Sequence, residues 1–176
     1  MGPRMIVSVF GGSSPQPGSS DYLAAKTLGE KLAKAGHIVA SGGYIGTMEA
    51  VSAGASEAGG HVIGVTCEEI ERWRKVGANR WVKQEIHCGT LIERLEKLTS
   101  LCDAAIALPG GPGTLTEIAL LWNLMIVEAV PRKPLILVGA GWQHTFDQFS
   151  RTQGQYTNHA QLSLLTFVDN IEQIDL

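Results

Sequence analysis

Pro109-Gly110-Gly111-Pro112-Gly113-Thr114-Leu115-Thr116-Glu117 follows the apolar run 104–108 and leads into a helix-like run at 118–130. That succession is the order of a strand, a glycine turn and a helix start. The first N–H groups of a helix have no intrahelical partner, and the helix dipole adds partial positive charge at the same end. Glycines there let the main chain approach an anion closely, because no Cβ intervenes. The loop is therefore a candidate phosphate cradle. No Gly-Lys-Ser/Thr follows, which sets it apart from the P-loop of nucleoside triphosphatases. A purely structural reading stands beside this one: Thr114 and Glu117 are three apart, the spacing of a capping box that satisfies the terminal N–H groups. The two readings are compatible, since a carboxylate fixed at the mouth of such a loop stands beside whatever the phosphate carries.

Short β-rich runs alternate with helical patterns on both sides of this loop. Strands are expected at 5–10, 38–41, 61–66, 104–108, 135–138 and 165–168. Between the first two, Tyr22, Ala25, Leu28, Leu32 and Ala35 mark one helical face, with Gly36 as a stop. Met48, Val51, Ala55 and Ala58 form a second stripe before Gly59-Gly60. Strands apolar on both faces, alternating with helices, predict an α/β fold: a Rossmann-like, doubly wound parallel sheet in a three-layer αβα sandwich. Ligands of such sheets bind beyond the carboxyl ends of the strands. Three glycine loops fall there: Gly11-Gly12-Ser13-Ser14, Ser41-Gly42-Gly43-Tyr44-Ile45-Gly46, and the Pro-Gly-Gly loop. Any one alone reads equally as a tight turn. Together on one rim they point to a nucleotide or a sugar phosphate. A dinucleotide is disfavoured, because the first loop lacks Gly-x-Gly-x-x-Gly and Ser41 stands where an acidic residue would grip the ribose.

A chain of 176 residues suits one domain spanning 1–176. Its three cysteines, Cys67, Cys88 and Cys102, fit neither a disulfide framework nor a zinc pattern and are read as reduced thiols of a cytoplasmic protein. The first apolar run is too short for a signal sequence, and no run reaches membrane-spanning length. A net charge of -3 argues against nucleic-acid binding, which needs a basic face.

Residues 90–101 read as a helix with Glu93, Glu96, Lys97 and Ser100 on the solvated face and Leu91, Leu95, Leu98 and Cys102 opposite. Glu93 and Lys97 are in favourable i,i+4 order. Arg94 falls three after Leu91 and four before Leu98, on the inward stripe. An inward guanidinium needs an anion, unless it lies at the edge of the stripe and reaches back to water.

Pro-Gly-Gly-x-Gly-Thr-x-x-Glu, an arginine on the preceding helix, and Gly42-Gly43-Tyr44-Ile45-Gly46-Thr47-Met48 together resemble the Lonely Guy (LOG) family of nucleoside monophosphate phosphoribohydrolases, also labelled possible lysine decarboxylases. The likeness runs from Val7 to about Gly139 and includes Val9-Phe10-Gly11-Gly12-Ser13-Ser14 and Gly59-Gly60-His61-Val62-Ile63-Gly64-Val65. It implies hydrolysis of the N-glycosidic bond of a cytokinin-type or adenine nucleotide, with no cofactor and no metal. By the same resemblance Gly110, Gly111, Gly113 and Thr114 hold the 5′-phosphate. Arg94 and Glu117 are the catalytic pair, and Gly12, Ser13, Ser14, Gly42, Gly43, Gly46 and Met48 complete the nucleotide site. The chain departs from the family pattern at Leu91-Ile92-Glu93-Arg94-Leu95, where only the arginine of Met-His-x-Arg-Lys remains, and at Ser41 and Glu49, where the family has glycines. Pyridoxal chemistry is disfavoured because no lysine lies in the three loops. A non-catalytic nucleotide or molybdenum-cofactor carrier of the same fold is the competing expectation.

Three further expectations concern surfaces. Arg72, Trp73, Arg74, Lys75, Arg80, Trp81 and Lys83 make the segment 67–88 basic and aromatic, either a lid over a base or a loop packed on the body. His87 has no ligand partner at metal spacing and is read as structural. The run 118–130 is apolar almost all round and predicts burial on every side, by a second subunit in a homodimer or by the chain's own C-terminal segment.

Overall fold

The computed structural model describes residues 3–176. Its strands are β1 (Ile6–Phe10), β2 (Ile38–Ser41), β3 (Val62–Cys67), β4 (Gln84–Cys88), β5 (Ala104–Ala107), β6 (Leu135–Val138) and β7 (Thr166–Val168). They form one sheet in the order β4-β3-β2-β1-β5-β6-β7, parallel at every pairing. The central strands β2, β3, β5 and β6 are buried almost throughout, as their two-faced apolar runs require. Helices α1 (Ser20–Lys34), α2 (Thr47–Glu57), α3 (Glu68–Arg74), α4 (Leu91–Ser100), α5 (Pro112–Ile126), α6 (Ala140–Gln153) and α7 (His159–Leu162) complete the chain. One apolar cluster joins Leu28 and Leu32 of α1 and Val51 of α2 to Val7, Val39 and Ile106. A second joins Leu98 of α4, Ile118 and Leu121 of α5 and Phe146 of α6 to Phe10, Val65 and Leu137. These two clusters on opposite faces of the sheet are the αβα sandwich that the sequence predicts.

Helices α1 and α2 meet at unusually close range. A Cβ on Gly54 would stand 1.9 Å from the Lys26 carbonyl oxygen, and one on Gly29 would stand 2.1 Å from that of Val51. Main chain cannot step aside as a side chain can, so Gly54→Ala is expected to cost about 3 kcal/mol of stability by overpacking, read as a lowered urea midpoint.

The sheet reverses its strand order between β1 and β5, and the loops at that reversal are tied together. The Gly12 N–H donates to the Pro109 carbonyl at 3.1 Å, and the Thr47 N–H donates to the Gly12 carbonyl at 2.9 Å. All three glycine loops therefore share one rim.

Four expectations need correction. The segment 67–88 is not a loop: it supplies α3 and the edge strand β4. Helix α5 begins at Pro112, not near Ile118, with Gly111 as N-cap and no side-chain capping bond. Thr114 and Glu117 therefore lie within the helix and do not form a capping box; Thr90 and Glu93 do, at the start of α4. Finally, the run 118–130 is not buried all round within the chain. Ile118, Leu121, Trp122 and Met125 are buried, whereas Ala119, Asn123 and Val127 are exposed. The C-terminal segment covers part of α5: the Trp122 indole N–H donates to the Gln161 carbonyl at 2.7 Å, and its ring meets Phe146 and Phe149 edge-on.

Cys67, Cys88 and Cys102 are free and buried. No helix among the described residues is long and apolar enough to cross a membrane.

Candidate active site

Arg94 lies on the buried stripe of α4, 5% exposed, as its spacing predicts. Its Nε donates to the Val65 carbonyl at 2.8 Å, its Nη2 lies 3.8 Å from Met48 Sδ, and its guanidinium stands 5.6 Å from the Tyr44 ring centre. These contacts aim Nη1 at α5, where it comes within 3.7 Å of Glu117 Oε1. That separation is an ion pair too long for a direct hydrogen bond. Glu117 is itself only 7% exposed. Burial pushes its carboxyl up from an ordinary value of 4.5 to about 7, because desolvation outweighs the opposing pull of Arg94. A carboxyl poised near neutrality beside a fixed cation is suited to proton transfer or to stabilising nearby positive charge.

The pair sits in a cleft of about 600 Å³ beyond the carboxyl ends of β1, β2 and β3. Gly12, Ser13, Ser14, Met48, Gly111, Gly113 and Thr114 line it together with Arg94 and Glu117. The exposed turn Gly111-Pro112-Gly113 opens the first turn of α5 into the cleft, so the positive end of that helix faces the same space as the ion pair. Gly110, Gly42, Gly43 and Gly46 are not part of the lining. Gly110 packs on the Thr114 side chain, Gly43 on Gly64 and Thr66, and Gly46 on the Gly12-Ser13 main chain. Gly42 backs directly onto Arg94.

Further residues enter the cleft that were not assigned to a site. Ile70 of α3 and Leu91 and Leu95 of α4 give it an apolar wall; Leu95 stands where the LOG pattern has lysine. The i,i+4 spacing of Leu91 and Leu95 was the available signal. Tyr44 is 1% exposed. Its hydroxyl accepts from the Cys67 N–H at 2.7 Å, and burial pushes its pKa up to about 12, so it remains neutral. Trp73 is 75% exposed at the cleft mouth, whereas Trp81 stacks with Arg80 away from it. Glu49 does not line the cleft. It lies toward Tyr22, whose hydroxyl burial and then the Glu49 charge both push up. His87, expected to lack partners, faces Glu71 and Glu85.

Residues 4–165 match the SLOG cluster4 family. The chain belongs to the SLOG cluster4 family. The resemblance to LOG proteins is borne out by relatives of this SLOG protein that carry that name. It is 37% identical over 128 residues to the rice (Oryza sativa subsp. japonica) protein "Probable cytokinin riboside 5′-monophosphate phosphoribohydrolase LOGL5", covering 71% of this chain and 51% of the relative. It is 28% identical over 170 residues to the cytokinin riboside 5′-monophosphate phosphoribohydrolase of Mycobacterium tuberculosis, covering 94% and 89%. The SLOG chain thus spans about half the length of the rice relative and most of the mycobacterial one. Among solved structures, the molybdenum cofactor binding protein of Rippkaea orientalis superposes with a TM-score of 0.74 at 25% identity, covering 97% of this chain and 92% of that one.

Proposed function

We propose that this SLOG protein hydrolyses the N-glycosidic bond of a purine nucleoside 5′-monophosphate, of adenine or cytokinin type, releasing the free base and ribose 5-phosphate. The observation that carries the reading is the buried Arg94–Glu117 pair, 3.7 Å apart, at the mouth of a helix N-terminus. In this reading the first turn of α5, with Gly111, Gly113 and Thr114, binds the 5′-phosphate dianion. The sugar then lies against Glu117. As the bond from C1′ to the base nitrogen breaks, positive charge grows on the ribose ring, and the Glu117 carboxylate stabilises it more than it stabilises the ground state. Glu117 also orients the water whose oxygen bonds to C1′ and accepts the proton that water loses, while the departing base takes up a proton from solvent. Arg94 is too basic to donate a proton near neutrality and acts electrostatically, fixing Glu117 and attracting the phosphate. The names of the rice and mycobacterial relatives support this chemistry.

Incubation of the protein with AMP and with isopentenyl-AMP, followed by separation of products, tests the proposal. Equimolar free base and ribose 5-phosphate are expected. Tight binding with no free base would favour the second reading, a carrier, which rests on the likeness to the molybdenum cofactor binding protein.

A second copy is proposed to pack on the outward side of the 118–130 run, where Ala119, Asn123 and Val127 are exposed, Val127 by 62%. Light scattering should show a dimer that Val127→Glu with Ala119→Glu converts to monomer; a monomeric wild type would refute it.

A further inference from the structure

Beyond the cleft, three donor groups from two elements converge on one point. His87 Nδ1 lies 3.7 Å from Glu71 Oε1 and 3.8 Å from Glu85 Oε1, and a donor atom of each residue lies within 4.8 Å of the others. The strand period of two puts Glu85 and His87 on the same face of β4, and helix α3 carries Glu71 across to them. The fully buried Thr66, opposite His87 in the β3–β4 register, donates its hydroxyl to Glu85 Oε1 at 2.6 Å and accepts from His87 Nδ1 at 3.0 Å, a contact that an ion bound at Nδ1 replaces. The Tyr44 hydroxyl stands 3.5 Å from Glu71 Oε1. Among the described residues, neither carboxylate forms a salt bridge to lysine or arginine. Two carboxylates that share one imidazole as their basic neighbour carry more negative charge than that ring can neutralise, and a cation would balance it.

We propose that Glu71, Glu85 and His87 bind a divalent transition-metal ion, with zinc as the best match. The imidazole donor disfavours calcium and magnesium, which take oxygen ligands, and suits zinc, which accepts nitrogen and carboxylate together. Zinc bonds of about 2.0–2.2 Å in a tetrahedron set donors roughly 3.3–3.6 Å apart. The pairs with His87 stand at 3.7 and 3.8 Å, and all three donors lie within 4.8 Å of one another, so binding draws the two carboxylates together by rotation of side chains that are 29–44% exposed. Water fills the fourth position. Thr66 and Tyr44 supply the outer hydrogen bonds that hold metal-binding carboxylates in orientation. Binding ties α3, which has no buried residue, to the sheet. Because α3 carries Ile70, Trp73 and Arg74 at the cleft, the ion fixes one cleft wall without taking part in chemistry.

Calorimetric titration of chelator-treated full-length protein at pH 7.5 tests the site with no reference to hydrolysis. Zinc should bind with one equivalent per chain, and calcium should give no heat. Glu85→Gln and His87→Ala, both at solvent-exposed positions and checked for folding by circular dichroism, should each weaken zinc at least tenfold. Amide exchange across Glu68–Arg74 should slow when zinc is bound. No saturable zinc binding by the wild type, or variants that bind zinc as tightly as the wild type, would overturn the proposal; the latter would assign the ion to other groups, such as the thiols.

Discussion

Glu117→Gln is expected to lower the rate of AMP hydrolysis by roughly a hundred- to a thousandfold, the loss of about 3–4 kcal/mol of preorganised electrostatic stabilisation, with folding intact. Glutamine keeps the shape and removes the charge, so binding of ribose 5-phosphate should change far less than turnover. An unchanged rate would remove Glu117 from the mechanism. The carboxyl's pKa of about 7 makes the same assignment visible in the wild type. Since the ionised form does the work, kcat/KM should rise with pH through about 7 and level above it. The folded protein holds this proton up to about 7, whereas the unfolded chain releases it near the ordinary value of 4.5. The contribution to stability is thus full below about 4.5, declines as pH rises toward 7, and is lost above it. Urea unfolding across that window should show the decline in the wild type and not in Glu117→Gln.

Gly42→Ala is expected to reduce kcat/KM on AMP about a hundredfold while sparing the fold. A Cβ there would stand 1.8 Å from Arg94 Nη2 and 2.5 Å from Met48 Sδ. Both atoms are the ends of flexible side chains, so the protein absorbs the methyl by displacing the guanidinium, not the main chain. Glu117 then loses the neighbour that opposes its burial. Its pKa rises further, and the pH profile should move to higher pH. Wild-type activity in a folded Gly42→Ala protein would show that the seat of Arg94 is dispensable. A mere loss of stability with the profile unmoved would assign Gly42 to packing alone.

Those two variants mark where sequence reading succeeded and where it stopped. The inward position of Arg94 was legible because helical periodicity alone sets it. The sheet was legible because β2, β3, β5 and β6 are apolar on both faces. Strand β4 was not, because Gln84, Glu85 and His87 are exposed on an edge and carry no two-faced apolar run. The start of α5 was misread because Thr114 and Glu117 have capping-box spacing, while Pro112 at the first helical position was the better signal. Gly42, Gly43 and Gly46 lie behind the lining, not in it. Close packing between elements distant in sequence leaves no local pattern. The same holds for His87, whose partner Glu71 comes from a different element.

The polar margin formed by β4 has a consequence for the protein in crowded solution. An outermost strand offers unpaired main-chain groups to any neighbouring molecule, which is how sheets grow into fibrils. Here that margin bears Glu85 and His87, with Lys83 just before them, all exposed. An identical strand arriving in register would set carboxylate against carboxylate and strip water from each. Edgewise stacking of a second sheet against β4 is thereby discouraged.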